Sequence, residues 1–263
     1  MRAIAAILLL IAATPSFGAK LSEKQMSEAI NSEMVTIPMP SELFAAINKA
    51  GKPDWAAFYR DPVPTAYATR LQTAFNLGAL VTDGFVAVEA QDGQQVKNIG
   101  KDIIALARAL GVGEDVLARG KSIGDFADAG VWSALLEDLE ATVNEVRRAM
   151  VAQRDEALAS MIAAGAWLRA WQIGARAAEL DGESRCAELL RQASLAAFLR
   201  SDLQRLPEKS RNTPVVAEVD AALADIGTQM TALTGTASDS EHIPAIGSTA
   251  AKIIADMSAK RQP

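Results

Sequence analysis

A long stretch without proline, from Val131 to Leu180, leaves the chain few choices of fold. Apolar residues recur along it at intervals of three and four, which places them on one stripe of an α-helix. The stripe consists of Leu135, Leu139, Val143, Val146, Met150, Ala157, Met161, Ala164, Leu168 and Trp171. The polar cluster 153–156 interrupts it, which is consistent with either a bend or a break there, and of the two we favour one long helix over about 131–180.

The second half of this stretch is rich in alanine and glycine. Small side chains let helix backbones come close together, and they also line helix contacts inside bilayers. Three polar residues, Arg169, Gln172 and Arg176, argue against a bilayer, because a charged residue at its centre costs about 3 kcal/mol. The sequence therefore predicts a buried helix at the centre of a folded domain.

Helical periodicity recurs on both sides of the central stretch, and no segment alternates as a β-strand does. We therefore predict an all-α protein, a single helical domain of about 8–10 helices around a long central helix. Its predicted parts are short helices with proline-rich connections over 20–64, a helical core domain over 65–235, and a polar linker with a C-terminal helix over 236–263.

Capping residues, glycines and prolines indicate where the flanking helices begin and end. Thr213-Pro214 is a start signal, because proline fits the first helical turn, where its missing N–H would have no partner. The predicted flanking helices are Glu42–Ala50, Thr65–Gln91, Gln94–Leu110, Ser122–Ala129, Glu183–Leu206, one that starts at Thr213-Pro214, and Ser248–Lys260.

Two heptapeptides, Phe75–Val81 and Ile162–Leu168, resemble each other with glycine aligned on glycine. Each lies in an apolar helix that is followed by a turn and an amphipathic helix. One explanation is a pair of related helical halves packed about a pseudo-symmetric core. The other is chance, because alanine-rich helices resemble one another through composition alone, and no shorter repeat is visible.

The N-terminal residues have the order of parts of a secretory signal peptide, which we place over residues 1–19. Arg2 precedes the apolar run Ile4–Ala12, and small residues suit cleavage after Gly18. The run is too short to span a bilayer, and the alternative is an uncleaved N-terminal anchor. We predict an exported protein, periplasmic if the source is Gram-negative and otherwise secreted, with no membrane span after signal cleavage.

The charge balance excludes one class of partner. The chain has 26 Lys and Arg against 32 Asp and Glu, a net charge of −6, and it has no basic block. Nucleic acids and anionic membrane surfaces are therefore not expected as partners. The predicted partner is an unidentified protein or small molecule of the cell envelope, and the oligomeric state is left open.

One cysteine and one histidine limit the chemistry of the chain. Cys186 can form no internal disulfide, and we favour a small buried role over a reactive thiol or an intermolecular bridge. We interpret His242, in the predicted polar linker, as an exposed loop residue rather than a catalytic or metal-binding one. Metal sites draw on several ligands, and hydrolase, phosphate-loop and haem motifs do not occur, so we predict no metal and no cofactor.

Carboxylates are the remaining candidates for catalysis. Glu89 ends the apolar face of its helix, where the helix dipole disfavours a negative charge, and a glutamate with a raised pKa would suit a muramidase-like enzyme. The competing interpretation is a hydrated glutamate at a helix end. Asp83 lies on a polar stripe with Thr69, Gln72 and Asn76, which is either solvated or part of a network between helices.

Tryptophans provide the candidate ligand site. Trp167 and Trp171 lie one turn apart, and Trp132 begins the same predicted helix. Together with Trp55, Tyr59 and Tyr67 they are candidates to line a pocket for a sugar or an apolar ligand. The competing interpretation is a core or a subunit contact. The full set of candidate ligand-binding residues is Trp132, Trp167, Trp171, Arg169, Glu89 and Asp83.

These observations favour an exported, non-catalytic, all-helical interaction or scaffold protein. The first alternative is a small-ligand binding protein with an aromatic-lined pocket between helices. The second is a carboxylate-dependent enzyme that acts on the cell wall. Each hypothesis requires a different structure: a closed core, an aromatic cavity with a convergent Arg or Asn, or a cleft that presents a buried glutamate.

Overall fold

The computed structural model describes residues 37–114, 118–181, 184–234, 239 and 241–259. Within these ranges the backbone forms α-helices and one 3-10 turn but no β-strand, which confirms the predicted all-α fold. The predicted signal peptide and the first part of the predicted 20–64 segment lie outside the described residues.

Most helices begin and end close to the predicted positions. In chain order they are α1 (Pro40–Ala50), α2 (Arg70–Glu89), α3 (Gly93–Ala109), α4 (Arg119–Ala129), α5 (Trp132–Ala152), α6 (Glu156–Asp181), α7 (Ser184–Leu189), α8 (Ala193–Gln204), α9 (Glu208–Arg211), α10 (Pro214–Ala232) and α11 (His242–Ser258). The 3-10 turn, Trp55–Phe58, lies between α1 and α2.

Side-chain caps determine where two of these helices begin. The Thr69 hydroxyl accepts a hydrogen bond from the Gln72 backbone N–H (3.1 Å), so α2 starts later than the predicted Thr65. The Asp92 carboxylate accepts one from the Gln95 N–H (2.9 Å) at the start of α3. Each cap satisfies a backbone donor that the first helical turn leaves without an intrahelical partner.

The favoured single helix over 131–180 is wrong, because the structure has two helices, α5 and α6, and the chain takes the alternative of a break at the polar cluster. Arg154 has a φ of 60°, a left-handed conformation that ends α5. The Asp155 N–H then donates to the Met150 carbonyl (2.8 Å). Residues 151–154 are exposed, so no apolar burial opposes the break, and the central helix is α6 alone.

Two further segments differ from the predictions. In place of one helix over Glu183–Leu206, the described residues form α7 and α8, and Gln192 between them accepts a hydrogen bond from the Trp171 indole (3.1 Å). The last helix starts at His242, inside the predicted polar linker. Its Pro244 lies in the first turn, which tolerates proline because that N–H would have no intrahelical partner.

Helix α6 is the centre of the fold, as the sequence predicted. Every residue from Met161 to Trp171 is buried, and α6 packs against α1, α2, α5, α7, α8, α10 and α11. The core around it includes Phe44 and Trp55 from the predicted N-terminal segment and Met257 from the C-terminal helix. Segments before and after the predicted core domain therefore contribute to the same hydrophobic core.

Helices α2 and α6 cross at a pair of glycines, where their backbones are in contact. A Cβ added to Gly78 would lie 1.9 Å from the Ile162 carbonyl oxygen, and one added to Gly165 would lie 2.0 Å from the Phe75 carbonyl oxygen. The contacts are reciprocal, because each glycine meets the residue one turn before the other glycine. The two similar heptapeptides are thus the two sides of one helix crossing.

Among the described residues, α2 is long and apolar enough to cross a membrane by length and composition. The fold buries 94% of its apolar window. A core helix of a soluble protein passes the same test, so this finding is weak evidence for a span. The close crossing with α6 explains the apolar, small-residue composition of α2 without a membrane.

Candidate functional site

A buried carboxylate lies between two arginines inside the fold. Asp83, on α2, is 8% exposed. The Arg169 Nε, from α6, donates to Asp83 Oδ1 (2.8 Å), and the Arg60 Nε, from the segment before α2, donates to Asp83 Oδ2 (2.7 Å). One carboxylate therefore joins two helices and an irregular segment.

The guanidinium nitrogens of Arg169 all donate within the protein. Beyond the bond to Asp83, Nη1 donates to Gln172 Oε1 (2.7 Å) and Nη2 donates to the Phe58 carbonyl (2.7 Å). Arg169 is 4% exposed, so it is held by these partners and not by water. The carboxylate partner of Arg169 is therefore Asp83 of the same chain and not a bound ligand.

The network continues to the C-terminal helix. Arg60 Nη1 donates to Ser258 Oγ (3.5 Å), and the Ser258 hydroxyl donates to Asn76 Oδ1 (2.8 Å). Asn76 Nδ2 donates to the Met257 carbonyl (2.8 Å). Of the two interpretations of the polar stripe that carries Asn76 and Asp83, the structure supports the network between helices.

Asp83 and Arg169 were each predicted from the sequence as candidate site residues, whereas Arg60 was not. A signal for the pair was present, because Asp83 and Arg169 each follow one of the two aligned glycines by about one helical turn. A crossing at Gly78 and Gly165 therefore brings them together. Arg60 carries no such signal, since it lies in an irregular segment whose path depends on tertiary packing.

Trp167 and Trp171 pack together in the core. Both are buried, and their ring centroids are 5.7 Å apart. The Trp167 indole donates to the Pro38 carbonyl (3.0 Å) and the Trp171 indole donates to Gln192 Oε1 (3.1 Å), so both N–H groups have partners. The cavity beside Trp167 measures about 20 Å³, which is room for about one water molecule.

Trp132 lies apart from the other two tryptophans. Because the chain breaks at Arg154, Trp132 begins α5 and not the helix that carries them. Its ring lies 3.8 Å from the position that a Cβ on Gly93 of α3 would take. Within the described part of the chain, ring contacts join Trp167 to Trp171 and do not include Trp132.

Glu89 ends α2 in a half-buried cluster with α1. Asn48 Nδ2 donates to the Glu89 carboxylate, and the Trp55 indole donates to Asn48 Oδ1 (2.7 Å). Burial raises the pKa of the Glu89 carboxyl, and the hydrogen bond from Asn48 lowers it by less. A raised pKa is the property that a catalytic glutamate requires, and here desolvation by the surrounding protein accounts for it.

Replacing Glu89 by glutamine should remove a pH dependence of stability. Because burial raises its pKa in the folded state, Glu89 contributes stability that is full below the unfolded pKa of about 4.3 and is lost as pH rises through the folded pKa. Glutamine keeps the shape, can accept the Asn48 hydrogen bond and cannot ionise. The free energy of unfolding of Glu89→Gln, relative to the wild type, should therefore increase as the pH rises from the unfolded pKa through the raised folded pKa of Glu89.

Urea titrations of both proteins at several pH values would measure this difference. Glu208→Gln, on the short helix α9, is the matched control for the same change at an exposed position. A difference in the free energy of unfolding between Glu89→Gln and the wild type that stays constant over the whole pH range would contradict the expectation. It would mean that ionisation of Glu89 does not affect folding.

The single histidine and the single cysteine both pack within the fold. Nδ1 of His242 lies 2.8 Å from Gln229 Oε1, and the residue begins α11 half-buried, which corrects its predicted place in an exposed loop. Cys186 is buried, as predicted. Within the described ranges, no group of three or more His, Cys, Asp and Glu side chains is arranged to hold a metal ion.

A groove of about 620 Å³ lies between α3 and α4. Three lysines and a largely apolar floor line it: Gln94, Lys97, Gly100, Lys101, Ile104, Ala118, Lys121, Ile123 and Gly124. This surface was not predicted from the sequence, because its lysines are distributed over two helices and form no basic block. The only local indication of it on α3 is that Lys97 and Lys101 lie one turn apart, next to Gly100.

Comparisons of this chain with protein families, with curated proteins and with solved structures each found no match. Its function must therefore be argued from the chemistry of its own residues.

Proposed function

We propose that this chain is an exported, non-catalytic interaction or scaffold protein that acts through its surface. Export follows from residues 1–19, which have the order of parts of a secretory signal peptide. The mature protein would be periplasmic in a Gram-negative source and secreted in another. Its partner would be a protein of the cell envelope.

The observation that carries this proposal is that the candidate ligand-binding groups Asp83, Arg169, Trp167 and Trp171 are bonded to other groups of the chain. Asp83 accepts hydrogen bonds from two arginines, and every guanidinium nitrogen of Arg169 donates within the chain. The indole N–H groups of Trp167 and Trp171 are bonded as well. A ligand that entered here would break these bonds, and each buried polar group left unsatisfied costs about 1–3 kcal/mol.

The two alternatives have weaker support. Pockets for drug-sized ligands measure about 300–1,000 Å³, whereas the cavity beside Trp167 measures about 20 Å³. A cell-wall enzyme would depend on Glu89, whose carboxylate accepts a hydrogen bond from Asn48. A surface that binds a protein requires neither an internal cavity nor a free catalytic carboxylate.

Native mass spectrometry of the protein purified from its own cell envelope would test the proposal. We expect a chain that begins at Ala19 and retains a bound protein partner. A chain that keeps Met1 would contradict export by signal cleavage. A retained small molecule without a protein would favour the ligand-binding alternative, and a wall-cleaving activity that Glu89→Gln abolishes would favour the enzyme.

A further inference from the structure

We propose that the groove between α3 and α4 binds an acidic segment of a partner protein. This inference rests on the proposed interaction function and specifies the surface and the chemistry of the partner. The groove volume, about 620 Å³, lies within the range of known binding pockets, about 300–1,000 Å³. Several side chains of a bound segment therefore fit in it.

Lysines give the groove its positive charge. Lys97 and Lys101 lie one turn apart on α3, and Lys121 lines the groove from α4. Lys97 is paired with Asp128 (2.6 Å). Over the residues that the structure describes, Lys101 and Lys121 are exposed and form no ion pair, although Asp102 beside Lys101 offsets part of its charge. Both ammonium groups can therefore approach the carboxylates of a partner, and Lys121 has the less opposed charge of the two.

The floor of the groove between these lysines is largely apolar. The half-buried Ile104 supplies the accessible apolar side chain, Ile123 (1% exposed) lies beneath the surface, and Gly100 and Gly124 supply no side chain. A Cβ on Gly124 would meet no heavy atom within 4 Å, so the missing side chain leaves open space. An apolar residue of a bound segment fits this floor while the carboxylates beside it reach the lysines.

The charge of the whole chain favours an acidic protein segment over an anionic membrane. With a net charge of −6, the chain as a whole is repelled by an extended anionic surface. A single segment in the groove interacts mainly with the nearby lysines, because salt screens charges beyond about 10 Å. A concave groove also fits a segment better than a flat bilayer.

A second copy of this chain is a less suitable partner. The groove between its α10 and α11 carries acidic residues but is itself concave. Two of its carboxylates already have partners: Asp225 accepts from the Thr249 hydroxyl (2.6 Å), and Asp256 pairs with Lys252 (2.7 Å). Two concave surfaces do not interlock, so the observations favour a different protein.

Site-specific photo-crosslinking would test the proposal in the full-length protein, made in its own cells. A benzophenone amino acid would replace Gln94, an exposed residue of the groove, and mass spectrometry would identify the captured peptide. We expect a segment rich in Asp and Glu. The same amino acid in place of Thr228, an exposed residue of the groove between α8 and α10, should not capture it.

A synthetic peptide with the captured sequence would then be titrated against charge variants by fluorescence anisotropy. Lys101→Glu/Lys121→Glu should weaken binding by about tenfold or more, because two attractive contacts become repulsive. The control Lys49→Glu/Lys209→Glu, at exposed positions outside the groove, changes the net charge equally and should weaken binding by about threefold at most. Added salt should weaken wild-type binding.

A crosslink from position 94 to a second copy, to lipid or to a segment without acidic residues would overturn the proposal. So would the absence of a crosslink, or equal weakening by the two double variants. If native mass spectrometry retains a protein partner but position 94 captures no acidic segment, the groove assignment fails and the interaction function stands. If no protein partner is retained, the interaction function fails as well.

Discussion

Replacing Gly165 by alanine should lower the free energy of unfolding by about 3 kcal/mol or more. The new Cβ would lie 2.0 Å from the Phe75 carbonyl oxygen, and real Cβ atoms essentially never come within 3.0 Å of such a neighbour. The obstacle is backbone, so α2 and α6 would have to separate and loosen the packing along their crossing. Urea titration would measure the loss as a lower midpoint of unfolding.

Two other helical glycines are matched controls. A Cβ on Gly84, also in α2, would meet its nearest atom, Leu139 Cδ1, at an ordinary 3.5 Å, and one on Gly124 would meet nothing within 4 Å. Alanine stabilises a helix interior by about 0.5–1 kcal/mol relative to glycine. Gly84→Ala and Gly124→Ala should therefore be neutral or stabilising, and a Gly165→Ala effect no larger than theirs would contradict the close crossing.

The reciprocal geometry allows a sharper test with the second glycine. Gly78→Ala should be as destabilising as Gly165→Ala, since its Cβ would lie 1.9 Å from the Ile162 carbonyl oxygen. The double variant should lose less than the sum of the two, because the first substitution has already moved the helices apart. Simple addition of the two losses would indicate independent clashes in place of one shared crossing.

Replacing Asp83 by alanine should lower the free energy of unfolding by about 3–5 kcal/mol. The substitution leaves Arg60 and Arg169 without the carboxylate that lies between them. The side chain of Arg169 is 5% exposed, so water cannot replace the lost partner. An uncompensated buried charge is the reason for the large expected effect, and urea or thermal unfolding of the variant would measure it.

Variants of an exposed pair and of the partner arginine separate this explanation from a general loss of charge. Asp256→Ala removes the carboxylate of an exposed ion pair with Lys252 and should cost less than about 1 kcal/mol. Adding Arg169→Met to Asp83→Ala should recover part of the stability, because it removes the unpaired buried charge. A loss below about 1 kcal/mol in Asp83→Ala would show that the arginines are hydrated.

The helices and their buried faces could be predicted because they depend on residues close together in the chain. Intervals of three and four assigned the apolar face of α10, and its members Val215, Val219 and Met230 are buried. The start of α10 after Thr213 was also confirmed, since the preference of proline for a first turn is a local property.

The candidate site could be predicted only in part. Asp83 and Arg169 were named from their positions on helix faces, but their shared partner Arg60 was not. Trp167 and Trp171 were placed together correctly because they lie one turn apart. Trp132 was grouped with them through a helix that the structure breaks at Arg154.

The sequence alone determined the helical class, the apolar faces and the small-residue helix at the centre of the fold. Only the tertiary structure decided that the chain breaks at Arg154, that Gly78 and Gly165 form one crossing, and that lysines of α3 and α4 share a groove. The physical reason is the range of the interactions. Periodicity and capping act within a few turns, whereas helix pairing depends on contacts between residues far apart in the chain, and no local pattern specifies them.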